Sequence, residues 1–147
     1  MLRTLFIAAA AILLAGCGSE GLPRGAIHGR VTLSGQPLTK GIIRFEPAAP
    51  TVGPVVSAAI VDGEYRLVEA EGPIVGKQRV EVEAQLDLGF AIDDESAFAA
   101  RGSRPLPPNP VPPQFNTRST LTTEIRADQE NTFDVSIPAA TQTAARR

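Results

Sequence analysis

The dipeptide Asp62-Gly63 stands between two short apolar and β-branched runs, Val55 to Val61 and Glu64-Tyr65-Arg66-Leu67. A two-residue connection of this kind favours a type I′ turn, which needs positive φ at both central residues, so the pair predicts a tight β-hairpin. Period-two alternation then recurs along the chain. Ile27, Val31 and Leu33 share a face with Gly29, while His28, Arg30 and Thr32 face the other way. Ile43 and Phe45 point inward from the run Gly41 to Glu46, and Val80, Val82 and Ala84 alternate with Arg79, Glu81 and Glu83 between Lys77 and Ala84. Near the end, Leu121, Thr123 and Ile125 share one face, as do Phe133, Val135 and Ile137. Half-buried strands read this way. The separators are turn formers: Ser34-Gly35-Gln36-Pro37, Pro50 to Pro54, Gly72 to Gly76 and Asp128-Gln129-Glu130-Asn131. The last of these predicts a hairpin between 120–126 and 132–137. Seven strands with almost no helix predict an all-β fold, a seven-stranded antiparallel β-sandwich over residues 26–137. The expected core is Ile27, Val31, Leu33, Ile43, Phe45, Tyr65, Leu67, Val80, Val82, Leu121, Ile125, Phe133, Val135 and Ile137.

The amino terminus obeys a different logic. Arg3 precedes an apolar run from Leu5 to Ala15 that is too short for a permanent bilayer span. A basic start, a short apolar centre and small residues before a cut site predict a secretory signal peptide, residues 1–16. The run closes in Leu14-Ala15-Gly16-Cys17, which resembles the lipobox of bacterial lipoproteins. The resemblance implies thioether lipidation of Cys17, cleavage before it and acylation of the new amino terminus. The membrane would then be the first partner, through the lipid. Gly18 rather than Asp follows the cysteine, which by analogy with envelope sorting implies the outer membrane. Residues 17–25 are expected to be a flexible tether, and residues 138–147, rich in Ala and Thr, a frayed tail.

Residues 86–119 interrupt the strand pattern. Asp93 to Gly102 predicts a short helix with Asp93 as its N-cap, followed by six prolines between Arg104 and Pro113. Proline at that density favours an extended polyproline II arm. A long irregular connection inside a compact domain is either functional or a crossover between sheets. On the functional alternative, Leu106 and Val111 are the apolar partner contacts.

The order of motifs resembles a known family. Gly29-x-Val31, Gly35-Gln36-Pro37-Leu38 and Gly41-Ile42-Ile43-x-Phe45-x-Pro47 resemble the first hairpin of carboxypeptidase regulatory-like domains, which have a transthyretin-like (prealbumin-like) sandwich. Asp62 to Leu67 is similar to that family's second hairpin, and Gly76-Lys77-Gln78-Arg79-Val80 to its next strand, with Gln78 where an aromatic residue or His is common. Pro113 to Asn116, Ser119 to Leu121 and Asn131 to Asp134 resemble the closing part of small lipoproteins of this type in planctomycete-like bacteria. The resemblance covers roughly residues 25–137. It implies an accessory or structural role and no catalytic residues.

The residues offer little to catalysis. His28 is the only histidine and Cys17 the only cysteine, so the several ligands of a zinc site and an internal disulfide are both missing from the composition. No Gly-x-Ser-x-Gly elbow is present. Gly72 to Gln78 departs from a phosphate loop in spacing and in having Gln78 where Ser or Thr would hold magnesium. Asp93-Asp94-Glu95 lacks the spacing of a calcium loop and reads as a helix start. With 14 basic and 16 acidic residues and no Lys/Arg cluster, nothing favours nucleic acid. The sequence thus predicts no cofactor, no metal and no enzyme, but a membrane-anchored binding or structural module of the envelope that contacts another envelope protein or a glycan. The alternatives are a hydrolase working through Asp93 and Glu95, and a subunit of a surface layer.

Overall fold

A computed structural model of the chain describes residues 21–86, 88–90 and 94–138. The signal-peptide segment, Cys17 and Asp93 lie outside these residues, as does the tail beyond Pro138.

The chain is mostly β. Its strands are β1 (Ile27–Leu33), β2 (Gln36–Pro37), β3 (Lys40–Pro47), β4 (Val56–Val61), β5 (Glu64–Leu67), β6 (Gly76–Ala84), β7 (Thr122–Ile125), β8 (Asn131–Thr132) and β9 (Val135–Ile137). Among the described residues, one α-helix, α1 (Glu95–Arg101), and two 3₁₀ turns, Glu69–Glu71 and Pro113–Phe115, interrupt them. Seven strands form a curled antiparallel sheet in the order β2-β1-β5-β4-β3-β6-β7, and β8 and β9 pair with β1 in parallel. Asp62 and Gly63 have φ of 50° and 82°, so the expected tight turn joins β4 to β5. The expected first hairpin is rearranged. β2 folds back on the end of β1, but β1 then pairs with β5, while β3 lies between β4 and β6.

The expected closing hairpin is also corrected. β7 pairs with β6, and the chain crosses through residues 126–130 to lay β8 and β9 along β1. Asn131 explains the crossing. Its amide donates to the carbonyls of Ala26 and Arg126 at 2.9 and 3.0 Å, and its side-chain oxygen accepts from the Arg126 N–H at 3.0 Å. One buried side chain thus ties the end of β7 to the approach to β1, and the two ends of the curled sheet meet there. A turn composition signals a reversal of direction, but not which strand receives the returning chain.

A bulge at Phe133-Asp134 divides the single last strand expected from the sequence. There the Arg30 N–H bonds to the Asp134 carboxylate at 2.7 Å instead of to a backbone carbonyl. The Phe133 carbonyl accepts from the Tyr65 hydroxyl at 2.6 Å. That carbonyl also sits so close to Gly29 that a Cβ built there would lie 2.0 Å from the oxygen, so only glycine admits the last strand at this point.

The inward faces form one core. Of the expected set, Ile27, Val31, Ile43, Phe45, Tyr65, Leu67, Val80, Val82, Ile125, Val135 and Ile137 are buried. Leu33, Leu121 and Phe133 are only partly so, because they lie where a strand ends or bulges. Leu38, Ala58, Ile60, Ile74, Ala84 and Val111 complete the core. Gln78 is fully buried in the inward face of β6, donating to the Ile74 carbonyl at 2.7 Å. Residues 23–25, expected to be flexible, are bonded to the sheet's own connections. Gly25 N–H bonds to Pro73 O, Val75 N–H to Pro23 O, and the Arg24 guanidinium to Gly72 O, so the domain begins at Pro23.

The antiparallel register sorts the connections into two ends. The start of β1, residues 48–55, residues 68–75 and residues 126–130 share one end. The turns at Ser34-Gly35 and Asp62-Gly63 and the start of the connection after β6, residues 85–86, share the other, and that connection returns at Ser119 and Leu121, which bond to Val80 midway along β6. Hydrogen bonds agree: Ala48 N–H to Lys77 O at the first, and Gln85 N–H to Lys40 O and Asp62 N–H to Thr39 O at the second.

Two measurements check this packing. Phe45→Ala should cost about 3–5 kcal/mol in denaturant unfolding, from lost transfer energy plus the cavity left among β3, β5 and β6, whereas Phe133→Ala should cost less. Tyr65 is the only tyrosine and there is no tryptophan, so an ultraviolet phenolate titration reads this one group. Burial, reinforced by the Asp134 carboxylate, pushes its hydroxyl well above the ordinary 10.0. Because the folded value is raised, the neutral form's contribution is complete below pH 10.0 and is lost as pH climbs toward the folded value. Tyr65→Phe should destabilise by about 1–3 kcal/mol at neutral pH, by orphaning the Phe133 carbonyl, and should flatten that alkaline loss.

Candidate functional site

The connection from β6 to β7 builds an apolar concavity on the outside of the sheet. After Ala84 the chain leaves the sheet through Gln85 and passes Leu86 and Leu88. Phe90 meets Phe98 of α1 edge to face, with ring centroids 5.0 Å apart and planes at 86°. α1 starts at Asp94, whose carboxylate accepts from the Ala97 N–H at 3.0 Å and the Ser96 hydroxyl at 2.7 Å. The helix start is therefore one residue later than the Asp93 cap expected. These hydrogen bonds, the Ser96 hydroxyl's first, lower the Asp94 pKa. At the other end, Arg101 donates to the carbonyls of Arg104 and Pro105, which turns the chain into the proline arm.

The arm then returns to the sheet. Asn109 accepts from the Val111 N–H at 2.9 Å, and Val111 drops into the core with 3% of its surface exposed. Past the 3₁₀ turn Pro113–Phe115, the Ser119 hydroxyl donates to the Val80 carbonyl and delivers the chain to β7. Between arm, α1 and the outer face of β3 and β6 lies a groove of about 550 Å³. Ile42, Leu86, Leu88, Phe98 and Leu106 give it apolar walls. Arg44 and Glu83, paired at 2.8 Å, form its charged side. Both partners of that pair are half exposed, so it orients the wall more than it stabilises the fold.

The structure separates the two arm residues singled out from the sequence. Leu106 is 55% exposed and lines the groove, whereas Val111 is a core residue and has no face to offer a partner. Proline spacing cannot show this, because an extended arm has no period that distinguishes inward from outward. Ile42 and Phe98 were not anticipated. Ile42 is an apolar residue at an outward position of β3, and Phe98 an aromatic on a helix with no buried residue. Both are breaks in pattern visible in principle from the sequence once the strand faces are known.

His28 lies on the outward face of β1, as expected, with Nδ1 3.3 Å from Glu130 and Nε2 3.3 Å from the Thr132 hydroxyl. It borders a second, more polar concavity of about 740 Å³ over β4, β5 and β1, where Arg30 pairs with Glu64 at 3.3 Å and Arg66 with Glu130 at 2.7 Å. Those charges satisfy one another. Glu95 is exposed at the start of α1. Among the described residues, no three His, Cys, Asp or Glu side chains come together as a metal group, and no helix is long and apolar enough to cross a membrane.

No protein-family model, no curated protein and no solved structure matches the chain. The groove is checked directly. Phe98→Asp combined with Leu106→Asp should remove the groove's share of apolar fluorescent dye binding, yet change the unfolding free energy by no more than about 2 kcal/mol, the worth of an exposed aromatic pair and little else.

Proposed function

We propose that this chain is a lipid-anchored envelope protein whose β domain, a transthyretin-like sandwich of the carboxypeptidase regulatory-like type, is a non-catalytic binding module. Cys17 carries the lipid, on the reading that Leu14-Ala15-Gly16-Cys17 is a lipobox, and Gly18 directs it to the outer membrane. The observation that carries the proposal is the placing of the groove. The chain enters the domain at the end where β1 starts, and the β6–β7 connection leaves β6 at the opposite end, where its groove opens beside Ala84 and Gln85. A lipid at Cys17 holds the first end near the membrane and turns the groove outward, toward whatever the envelope presents. Apolar walls formed by Ile42, Leu86, Leu88 and Leu106 suit the side chains of an extended protein segment better than the hydroxyls of a glycan.

Of the two carboxylates on which the hydrolase alternative rests, Asp93 lies outside the described residues, and Glu95 is exposed at the start of α1 and does not line the groove.

Two variants test the reading in intact cells. Cys17→Ser should leave the domain folded but release it from membrane fractions, and mass spectrometry of the mature wild type should find Cys17 modified. Replacing residues 88–108 by a Gly/Ser link spares Asn109 and Val111, so the domain should stay folded while crosslinked partner recovery is lost. Full recovery of every partner from the shortened protein would show that the groove is not the contact.

A further inference from the structure

The end of the domain where the chain enters is apolar in a way that its fold does not require. Leu22, Val52, Val55 and Val68 are exposed by 55, 81, 54 and 53%. They come from three separate segments: the approach to β1, the connection 48–55 and the start of the connection 68–75. Contacts bring these segments together. Leu22 lies beside Gly53, Leu22 and Ala70 line one shallow concavity, and Pro23 and Gly25 bond to Val75 and Pro73. Four large apolar side chains at one end, next to the point of entry, form a surface rather than scattered exposure.

Chain length supplies the occupant. Cys17 precedes Leu22 by only five residues, which limits their separation to about 17 Å even when fully extended. On the proposed reading that Cys17 is lipidated, and only on that reading, this end cannot leave the headgroup layer by more than that distance. We infer that the surface formed by Leu22, Val52, Val55 and Val68 docks on the bilayer that holds the anchor, setting the domain upright with its groove facing away. Tethering makes a weak surface sufficient, because an attached partner is presented at high effective concentration. The charges at this end select the lipid chemistry. Glu69, Glu71 and Asp128 are exposed here alongside Lys77 and Arg126, with Arg24 bonded to the Gly72 carbonyl, so the end carries mixed charge with no basic excess to draw the domain to anionic lipid. The fit is to a zwitterionic interface entered by apolar side chains.

Because Cys17 is the only cysteine, an introduced cysteine is a unique labelling position once Cys17 is lipidated. The lipidated full mature protein, labelled with a fluorophore at Val52→Cys or Val68→Cys, is reconstituted in phosphatidylcholine vesicles containing a brominated lipid, with Leu106→Cys as the control at the far end. Quenching should be several-fold stronger at 52 and 68 than at 106. In the position-52 protein, Val55→Asp with Val68→Asp should bring quenching down to the control level while leaving the lipid in place by mass and the unfolding transition unchanged. Equal quenching at both ends of a lipidated protein would overturn the docking surface and leave the anchor intact. Excimer emission from pyrene at 52 without lipid quenching would assign the surface to a second copy, and would equally overturn it. An unmodified Cys17 would remove anchor and docking together.

Discussion

Both edges of β1 are occupied, and the rest of the molecule depends on it. β5 and β2 take one edge in antiparallel register, while β8 and β9 take the other in parallel. Sheet edges expose unpaired backbone groups, and a strand paired on both sides carries none into the interior. The parallel pairing exists because three local features coincide. Gly29 has no Cβ to collide with the Phe133 carbonyl, Tyr65 satisfies that carbonyl, and Asp134 replaces the missing ladder acceptor for Arg30. Asn131 then joins the two ends of the curl.

Stability follows from the apolar interior that this closure creates. Outside the core the sheet carries a lattice of charges, with Arg79 between Glu46 and Glu81 and Arg44 against Glu83. These pairs are partly solvated, and such pairs contribute little. Their value lies in covering the outward face of β3 and β6 with polar groups everywhere except where Ile42 meets the arm. The groove is thus defined as much by the charges around it as by its own apolar walls.

A consequence of the antiparallel register is polarity of the whole domain. Alternate connections gather at alternate ends, so the short turns and the start of the long β6–β7 connection lie opposite the entry of the chain. On the proposed function this separates two tasks, membrane contact and partner contact, by the length of the strands. Val111 ties the arm to the core in the middle of that long connection, so the segment before it can vary without unfolding the sheet.

The sequence by itself determined the strands and their faces, because a period of two depends only on neighbouring residues. Ile27 with Val31, Val80 with Val82 and Val135 with Ile137 were legible as inward pairs, and Asp62-Gly63 as a tight turn, since the φ values required are local properties of those residues. Tertiary structure alone decided which strand pairs with which. Asp128 to Asn131 reads as a turn whether the chain returns to β7 or crosses to β1, and the choice rests on contacts between residues about a hundred positions apart, Arg30 with Asp134 and Asn131 with Ala26. The groove was hidden likewise. Leu106 and Val111 are both apolar residues among prolines, and only the return of the arm to the sheet sends one into the core and leaves the other in the open.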